Sequence, residues 1–234
     1  MSNTKLKNNK NLKALVISNG EITNPDILLK ILKGNYDFHE NFLIICADGG
    51  VKNCMDLKLI PDFIIGDMDS IKTEDKNLLN SLGKNIDYIT AVEEKNESDT
   101  QLAVEFAQEK GFKDIIVIGA LGKRIDHSLA NIFNIASPKF KNLNIRILDE
   151  DIEISVLNKS GNIKGSAGNI VSIFSLTPST YFLKTDGLKY KLKNEKLLFS
   201  PVRGLSNKFT KDSAALDIKN GKILLVKQII KKQI

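Results

Sequence analysis

The sequence predicts an α/β chain in two parts, a parallel-sheet α/β domain followed by an antiparallel β-sandwich. Three observations carry this. Apolar runs alternate with stretches of helical spacing as far as Leu148. Two of those runs, Phe42–Ala47 and Phe63–Ile65, stop at acidic turns, Asp48-Gly49-Gly50 and Gly66-Asp67-Met68-Asp69-Ser70. Past Asp149 helical periodicity gives way to short β-rich runs separated by turn residues. The expected division is 11–150 for the α/β part and 151–234 for the sandwich.

The first strand is Lys13–Ser18, ending in Ser18-Asn19-Gly20. The helix after it has Asn24 as N-cap, Pro25 at the first helical position and Gly34 just past its end. Between the two acidic turns Val51, Cys54 and Met55 recur at helical spacing, and Pro61 marks the loop before the next strand. A right-handed crossover makes the flanking strands parallel, which puts both acidic turns at the carboxyl edge of the sheet, where ligands of open α/β sheets bind. Thr73 caps a helix through Leu78, Leu79 and Leu82 to Gly83. Ile86–Thr90 is β-like and leads into the polar stretch Glu93–Ser98. A helix begun at Ser98 or Asp99 carries Leu102, Val104, Phe106 and Ala107 and closes at Gly111. Asp114–Ala120 is the most apolar strand. After Leu121–Arg124 a helix carries Leu129, Ile132, Phe133 and Ile135, and Ile145–Leu148 is the sixth strand. Strands and helices alternating at this spacing place helices on both faces of a parallel sheet.

In the second part the expected strands are Glu153–Leu157, Ile170–Leu176, Phe182–Thr185, Lys189–Leu192, Ala214–Ile218 and Ile223–Val226. Asn220-Gly221, between the last two, is the strongest hairpin signal in the chain.

Composition narrows the function. The chain has 234 residues, 42% hydrophobic and 26% charged, with a formal charge of +6 spread over scattered lysines. A nucleic-acid surface needs such charge clustered on one face, and with no Trp and few aromatics no base-stacking platform stands out. No apolar segment reaches the ~18 residues of a membrane span. The polar, lysine-rich start has no apolar signal core, and Cys46 and Cys54 read as small buried hydrophobes. The expectation is a cytoplasmic protein with no membrane and no nucleic-acid partner.

Three elements can carry chemistry. Asp48, Asp67 and Asp69 converge if the two turns share an edge. Two such charges about 4 Å apart repel by roughly 1–4 kcal/mol, which a bound cation offsets. Oxygen ligands without His or Cys suit Mg²⁺. The plain alternative is that Asp and Gly only serve turn geometry, but two turns facing one way favour a site. The second element is Lys95-Asn96-Glu97-Ser98-Asp99-Thr100. A helix cap explains Ser98 or Asp99, and function and capping stand even. The third is Gly119-Ala120-Leu121-Gly122-Lys123-Arg124-Ile125-Asp126-His127, a strand running through a glycine loop into a helix N-terminus, with Lys123 and Arg124 beside it. That suits an anion, although Asp126 also fits a plain cap and His127 a solvent-facing residue. No serine or cysteine is placed for covalent catalysis. The set fits magnesium-dependent transfer of a phosphate-type group from a nucleotide.

These motifs in this order, with Gly204-Leu205-Ser206-Asn207 in the β domain, resemble the thiamine pyrophosphokinase family over nearly the whole chain. The resemblance implies transfer of the pyrophosphoryl unit of ATP to the hydroxyl of thiamine, with AMP released, by a homodimer that binds thiamine where its subunits meet. It implies Asp48, Asp67, Asp69 and Asp99 as magnesium ligands, with Asp48, Asp69 and Asp99 catalytic and Asp69 or Asp99 taking the alcohol proton. Gly49, Lys123, Arg124, Asp126 and His127 would line the ATP site, and Ser206 and Asn207 the thiamine pocket. Two positions depart from the family pattern. Asn96 stands where Asp is usual and removes a carboxylate. Lys123 stands where Gly is usual and adds a cation, which either tightens nucleotide binding or crowds the loop. Phe209, Tyr181 and Tyr190 are the candidate aromatic partners of thiamine. Two other readings remain open at this point: a pyrophosphokinase of another hydroxymethyl heterocycle, such as a pterin, and a non-catalytic nucleotide sensor.

Overall fold

The computed structural model describes residues 13–39, 42–67, 74, 79, 85–90 and 97–229. Asp69 and Asn96 lie outside the described residues, as does most of the helix expected after Thr73, of which Glu74 and Leu79 are helical. The chain divides into two compact units, Met1–Asn134 with Asn142–Glu150, and Ile135–Lys141 with Asp151–Ile234.

In the first unit β1 (Lys13–Ile17), β2 (Leu43–Ala47), β3 (Phe63–Gly66), β4 (Asp87–Thr90), β5 (Asp114–Ile118) and β6 (Asn144–Leu148) run in the order β4-β3-β2-β1-β5-β6. Every adjacent pair is parallel. The central strands are buried on both faces, which is why β1, β2 and β5 read as unbroken apolar runs rather than alternating ones. The order reverses at β1, whose neighbours are β2 and β5. The crevice of a doubly wound sheet opens at such a reversal.

The helices are α1 (Pro25–Asn35), α2 (Gly50–Asp56), α3 (Asp99–Glu109) and α4 (Ile125–Ile135). Asn24 caps α1 by accepting from Ile27 N. The helix runs through Gly34 instead of stopping before it, and ends when Tyr36 N bonds to Leu32 O. The end of α3 does depend on glycine: Gly111 takes φ +89° while its N–H reaches Gln108 O and Phe112 N reaches Ala107 O. Helices α2 and α3 both pack against β1 and β2. In α4 only Ile135 is buried; Ile125, Leu129 and Phe133 lie on one exposed face at helical spacing.

The second unit is a sandwich of two antiparallel four-stranded sheets. One has the order β12 (Asn207–Lys208), β9 (Ile170–Ser175), β14 (Ile223–Gln228), β7 (Ile152–Leu157). The other has the order β11 (Lys193–Leu198), β10 (Ser179–Asp186), β13 (Ser213–Asn220), β8 (Gly161–Lys164). Val171, Ile173, Ile223 and Leu225 of the first meet Phe182, Leu197, Leu216 and Ile218 of the second in one core.

Three local expectations fail here. Lys189–Leu192 is a loop, and the strand follows it as Lys193–Leu198, whose charged sequence hides an edge pairing with β10. Gly161–Lys164 is a strand absent from those the sequence predicts. Asn220-Gly221 does not close a hairpin, because β13 and β14 belong to different sheets. Leu216 and Ile218 face the core from one side, Ile223 and Leu225 from the other, so the chain has to cross between sheets. Gly221, at φ +102°, makes that corner where a Cβ would strike Thr180.

Candidate functional site

The turns after β1, β2 and β5 and the start of α3 wall a cavity of about 610 Å³ at the carboxyl edge of the parallel sheet. Its lining includes Asp48, Gly49, Asp99, Lys123, Arg124 and His127. The segments around Asp48, Asp99 and Arg124, far apart in the sequence, therefore converge on one opening at the reversal of strand order, whereas Asp67 and Asp126 are not among its lining residues.

Asp48 ends β2. Its N–H bonds to Ile65 O, which holds it against β3, and its φ of +42° is unusual for a residue with a side chain. The residue is 7% exposed, and among the described residues its Oδ1 has no hydrogen-bond partner. A buried carboxylate oxygen without a partner costs free energy, which a cation there would offset. Gly66 closes the same corner, since a Cβ there would come within 2.7 Å of Asp48 Cβ. Asp67 follows directly and is partly buried.

Helix α3 settles which residue caps it. Ser98 Oγ accepts from Gln101 N at 3.3 Å, so Asp99 is the first helical residue and borders the cavity. Ser18 Oγ and Thr100 Oγ1 lie 2.9 Å apart and join the end of β1 to this first turn.

On the β5 side the loop is held by α4. Ser128 Oγ accepts from Gly122 N at 3.1 Å, and Asn131 Nδ2 donates to Ala120 O at 2.8 Å. Arg124 donates through Nε and Nη2 to the two carboxylate oxygens of Asp126, at 3.0 and 2.5 Å. This fork holds the Asp126 carboxyl well below the usual carboxylate range and raises the guanidinium further. Asp126 is thus the partner that aims Arg124, and His127 Nε2 stands 3.9 Å from the same carboxylate. Lys123 reaches the β1 turn, where its Nζ lies 3.2 Å from Glu21. Among the described residues no group of three or more His, Cys, Asp or Glu side chains is gathered closely enough to hold a metal ion.

The β1 turn, Ser18–Glu21, forms one wall and was not among the residues the motifs singled out. Its only signal in the sequence is Ser18-Asn19-Gly20 at the end of an apolar run.

Ser206 and Asn207 lie in the second unit. Ser206 is exposed, at φ +58°, and its N–H donates to Ser172 Oγ. Asn207 is buried, and its amide pairs with the backbone of Tyr190 in both directions, at 2.8 and 3.0 Å. Tyr190 is 61% exposed, whereas Phe209 is 2% exposed and belongs to the core.

Nucleotides and other phosphorylated ligands bind α/β sheets at this point, and a basic loop with a helix N-terminus supplies an anion's counter-charges. The class is that of a phosphate-handling α/β protein. A model of the thiamin pyrophosphokinase catalytic domain matches residues 37–147, and one of the thiamin pyrophosphokinase vitamin B1 binding domain matches residues 153–225. Thiamine pyrophosphokinase 1 of Oryza sativa subsp. japonica is 30% identical over 197 residues, 70% of this chain and 71% of that protein. The thiamine pyrophosphokinase of Bacillus subtilis is 25% identical over 205 residues, 87% of this chain and 94% of that protein. In fold, the crystal structure of the Bacillus subtilis enzyme superposes with a TM-score of 0.80 at 21% identity, covering 94% of this chain and all of that one. The yeast enzyme superposes with 0.76 at 18% identity, covering 97% of this chain and 90% of that one. The chain belongs to the thiamine pyrophosphokinase family. Its activity is transfer of the pyrophosphoryl group of ATP to the hydroxyl of thiamine, giving thiamine diphosphate and AMP. The pterin-type acceptor and the non-catalytic sensor find no support in these comparisons.

Proposed function

We propose that the cavity at the carboxyl edge of β1, β2 and β5 is the ATP site of this pyrophosphokinase and that it works with Mg²⁺. The observation that carries the reading is Asp48, a buried carboxylate with an unpartnered oxygen in the wall of a cavity that also bears Arg124 and Lys123. Asp48, Asp67, Asp69 and Asp99 would hold the ion; their donors are hard oxygens, which suit it. When bound, Mg²⁺ supplies charge neutralisation to the phosphate oxygens.

The rest falls to the chain's own residues. Arg124, aimed by Asp126, and Lys123 meet the phosphates with positive charge, and the N-terminus of α4 adds the positive end of its helix dipole. Gly49, where a Cβ would strike Asn19, and His127 border the nucleotide in the cavity wall. The thiamine hydroxyl oxygen bonds to the β-phosphorus as the bond from that phosphorus to the α,β-bridging oxygen breaks and AMP leaves. Asp69 or Asp99 takes the hydroxyl proton. Positioning and charge carry most of the catalysis.

The first unit is read as the catalytic domain and the second as the thiamine-binding and dimerising one. In the second, Ser206 and Asn207 form part of the thiamine pocket. Tyr190 is the candidate aromatic partner favoured by exposure, and Asn207 holds its backbone. The chain is read as a homodimer; the exposed apolar face of Ile125, Leu129 and Phe133 on α4 belongs to the first unit and is a further surface a second copy would cover. Free, buried Cys46 and Cys54 accord with the cytoplasm, and no described helix is long and apolar enough to cross a membrane.

The test is product analysis with ATP and thiamine, with and without Mg²⁺ and EDTA. AMP and thiamine diphosphate should appear together and vanish with EDTA. Turnover that survives EDTA would remove the metal assignment.

A further inference from the structure

Three turns wall the cavity, and one side chain behind the wall touches two of them. Asn53 lies on α2, a short way past Asp48, and is 8% exposed. It is absent from the residues that line the cavity. Its Nδ2 donates to Ser18 O and to Gly20 O, both at 2.7 Å. Those carbonyls belong to the β1 turn, so a single amide nitrogen fastens that turn to the helix that begins beside Asp48.

The fastening extends to the third wall. Ser18 N donates to Ile118 O at 2.9 Å and Gly20 N to Gly119 O at 2.7 Å, which joins the β1 turn to the turn after β5. The Asn53 amide fits closely against that turn too. A Cβ at Gly119 would come within 2.9 Å of Nδ2, and one at Gly20 would strike the carbonyls of Gly119 and Leu121. Both Asn53 hydrogens are engaged in the buried interior, where a lost partner leaves carbonyls unsatisfied.

We infer that Asn53 is a positioning residue for the nucleotide. It sets the gap between the turn bearing Asp48 and the β1 and β5 turns, and so fixes the span that the triphosphate must fit. Touching neither reactant, it acts through the backbone of Ser18–Gly20. This rests on the reading of the cavity as the ATP site.

The experiment is steady-state kinetics on the full chain for Asn53→Ala, Asn53→Asp and Arg124→Ala, with Lys52→Ala, an exposed neighbour, as control. Asn53→Asp keeps the shape but turns a carboxylate oxygen on two carbonyl oxygens. The expected result is a KM for ATP raised about ten-fold in Asn53→Ala and further in Asn53→Asp, with the KM for thiamine within about two-fold. A merely structural role would lower the active fraction, and hence kcat, with both KM values unchanged; that result overturns the inference. If Asn53→Ala fails to fold, Asn53→Gln, which keeps the amide on a longer arm, is measured in its place. Failure of all three to fold assigns Asn53 to folding and also overturns it. Arg124→Ala separates the two readings. If it leaves the KM for ATP unchanged, the cavity assignment has failed. If it raises that KM while the Asn53 variants do not, only the positioning role has failed.

Discussion

Ser18 and Thr100, 82 residues apart, share a hydrogen bond of 2.9 Å between their hydroxyls. Ser18 directly follows the strand at which the sheet order reverses, and Thr100 sits in the first helical turn beside Asp99. The bond fixes where Asp99 stands relative to the β1 turn. Thr100→Val keeps the shape and removes the hydroxyl. A neutral hydrogen bond contributes about 1 kcal/mol, so kcat/KM should fall about five-fold if that energy is felt in full at the transition state. Steady-state kinetics on Thr100→Val and Ser18→Ala check this, and an unchanged value in both would mean that the tie leaves Asp99 where it was.

Asp48 predicts a trade of stability against activity. The carboxylate is buried, has an unpartnered oxygen and takes a left-handed backbone that asparagine tolerates better. Asp48→Asn should lower turnover by orders of magnitude yet raise the thermal midpoint by about 2–4 °C per kcal/mol gained. Calorimetry without added metal reads the second effect. A lower midpoint would show that the charge is satisfied in the folded chain.

Glu153 and Lys227 form an ion pair of 3.1 Å across β7 and β14, with side chains only 7% and 10% exposed, and Lys227 also donates to Lys164 O. Breaking such a pair from one side leaves a buried charge. Lys227→Met should cost about 3–5 kcal/mol. Adding Glu153→Leu should restore most of it, since two apolar side chains replace the pair. Urea denaturation of the single and double variants tests both steps.

Burial raises the Cys46 thiol well above its ordinary value, helped by its hydrogen bond and electrostatic interaction with Cys54 and by the nearby charge of Asp62. The thiol stays protonated in the fold while an unfolded one ionises near pH 8.5. Its contribution to stability is therefore full below about pH 8.5 and declines above it, by up to ~1.4 kcal/mol per pH unit. The difference in unfolding free energy between the natural chain and Cys46→Ala should be flat to that pH and then narrow. Curves that stay parallel up to pH 10 would exclude the effect.

How much of this is visible in the sequence depends on whether a signal is local. Asp48-Gly49-Gly50 and Gly119–Arg124 are legible because a strand, a sharp turn and a helix leave their marks within a few residues. The cap at Ser98 and the closing Gly111 are legible for the same reason. Asn53 and Asn131 are not, since an asparagine facing a backbone carbonyl across the fold looks the same in sequence as one facing water. Asn220-Gly221 misleads in another way. The dipeptide marks a reversal at positive φ, and only the packing of Ile218 and Ile223 from opposite sides decides that the chain changes sheets there. Lys193–Leu198 is hidden because an edge strand tolerates charge on its open face.

Strand β14 lies between β7 and β9, though it follows both in the chain. The middle of that sheet is thus the last of its strands to leave the ribosome. Until residue 228 has emerged, β7 and β9 each hold out an unpaired row of backbone groups with nothing between them. The second unit can close only after its synthesis is essentially finished, whereas the parallel strands of the first already have their partners by then. A nascent chain would carry a folded first half and an open second half, and any holding factor that acts on it has β7 and β9 as the edges to cover.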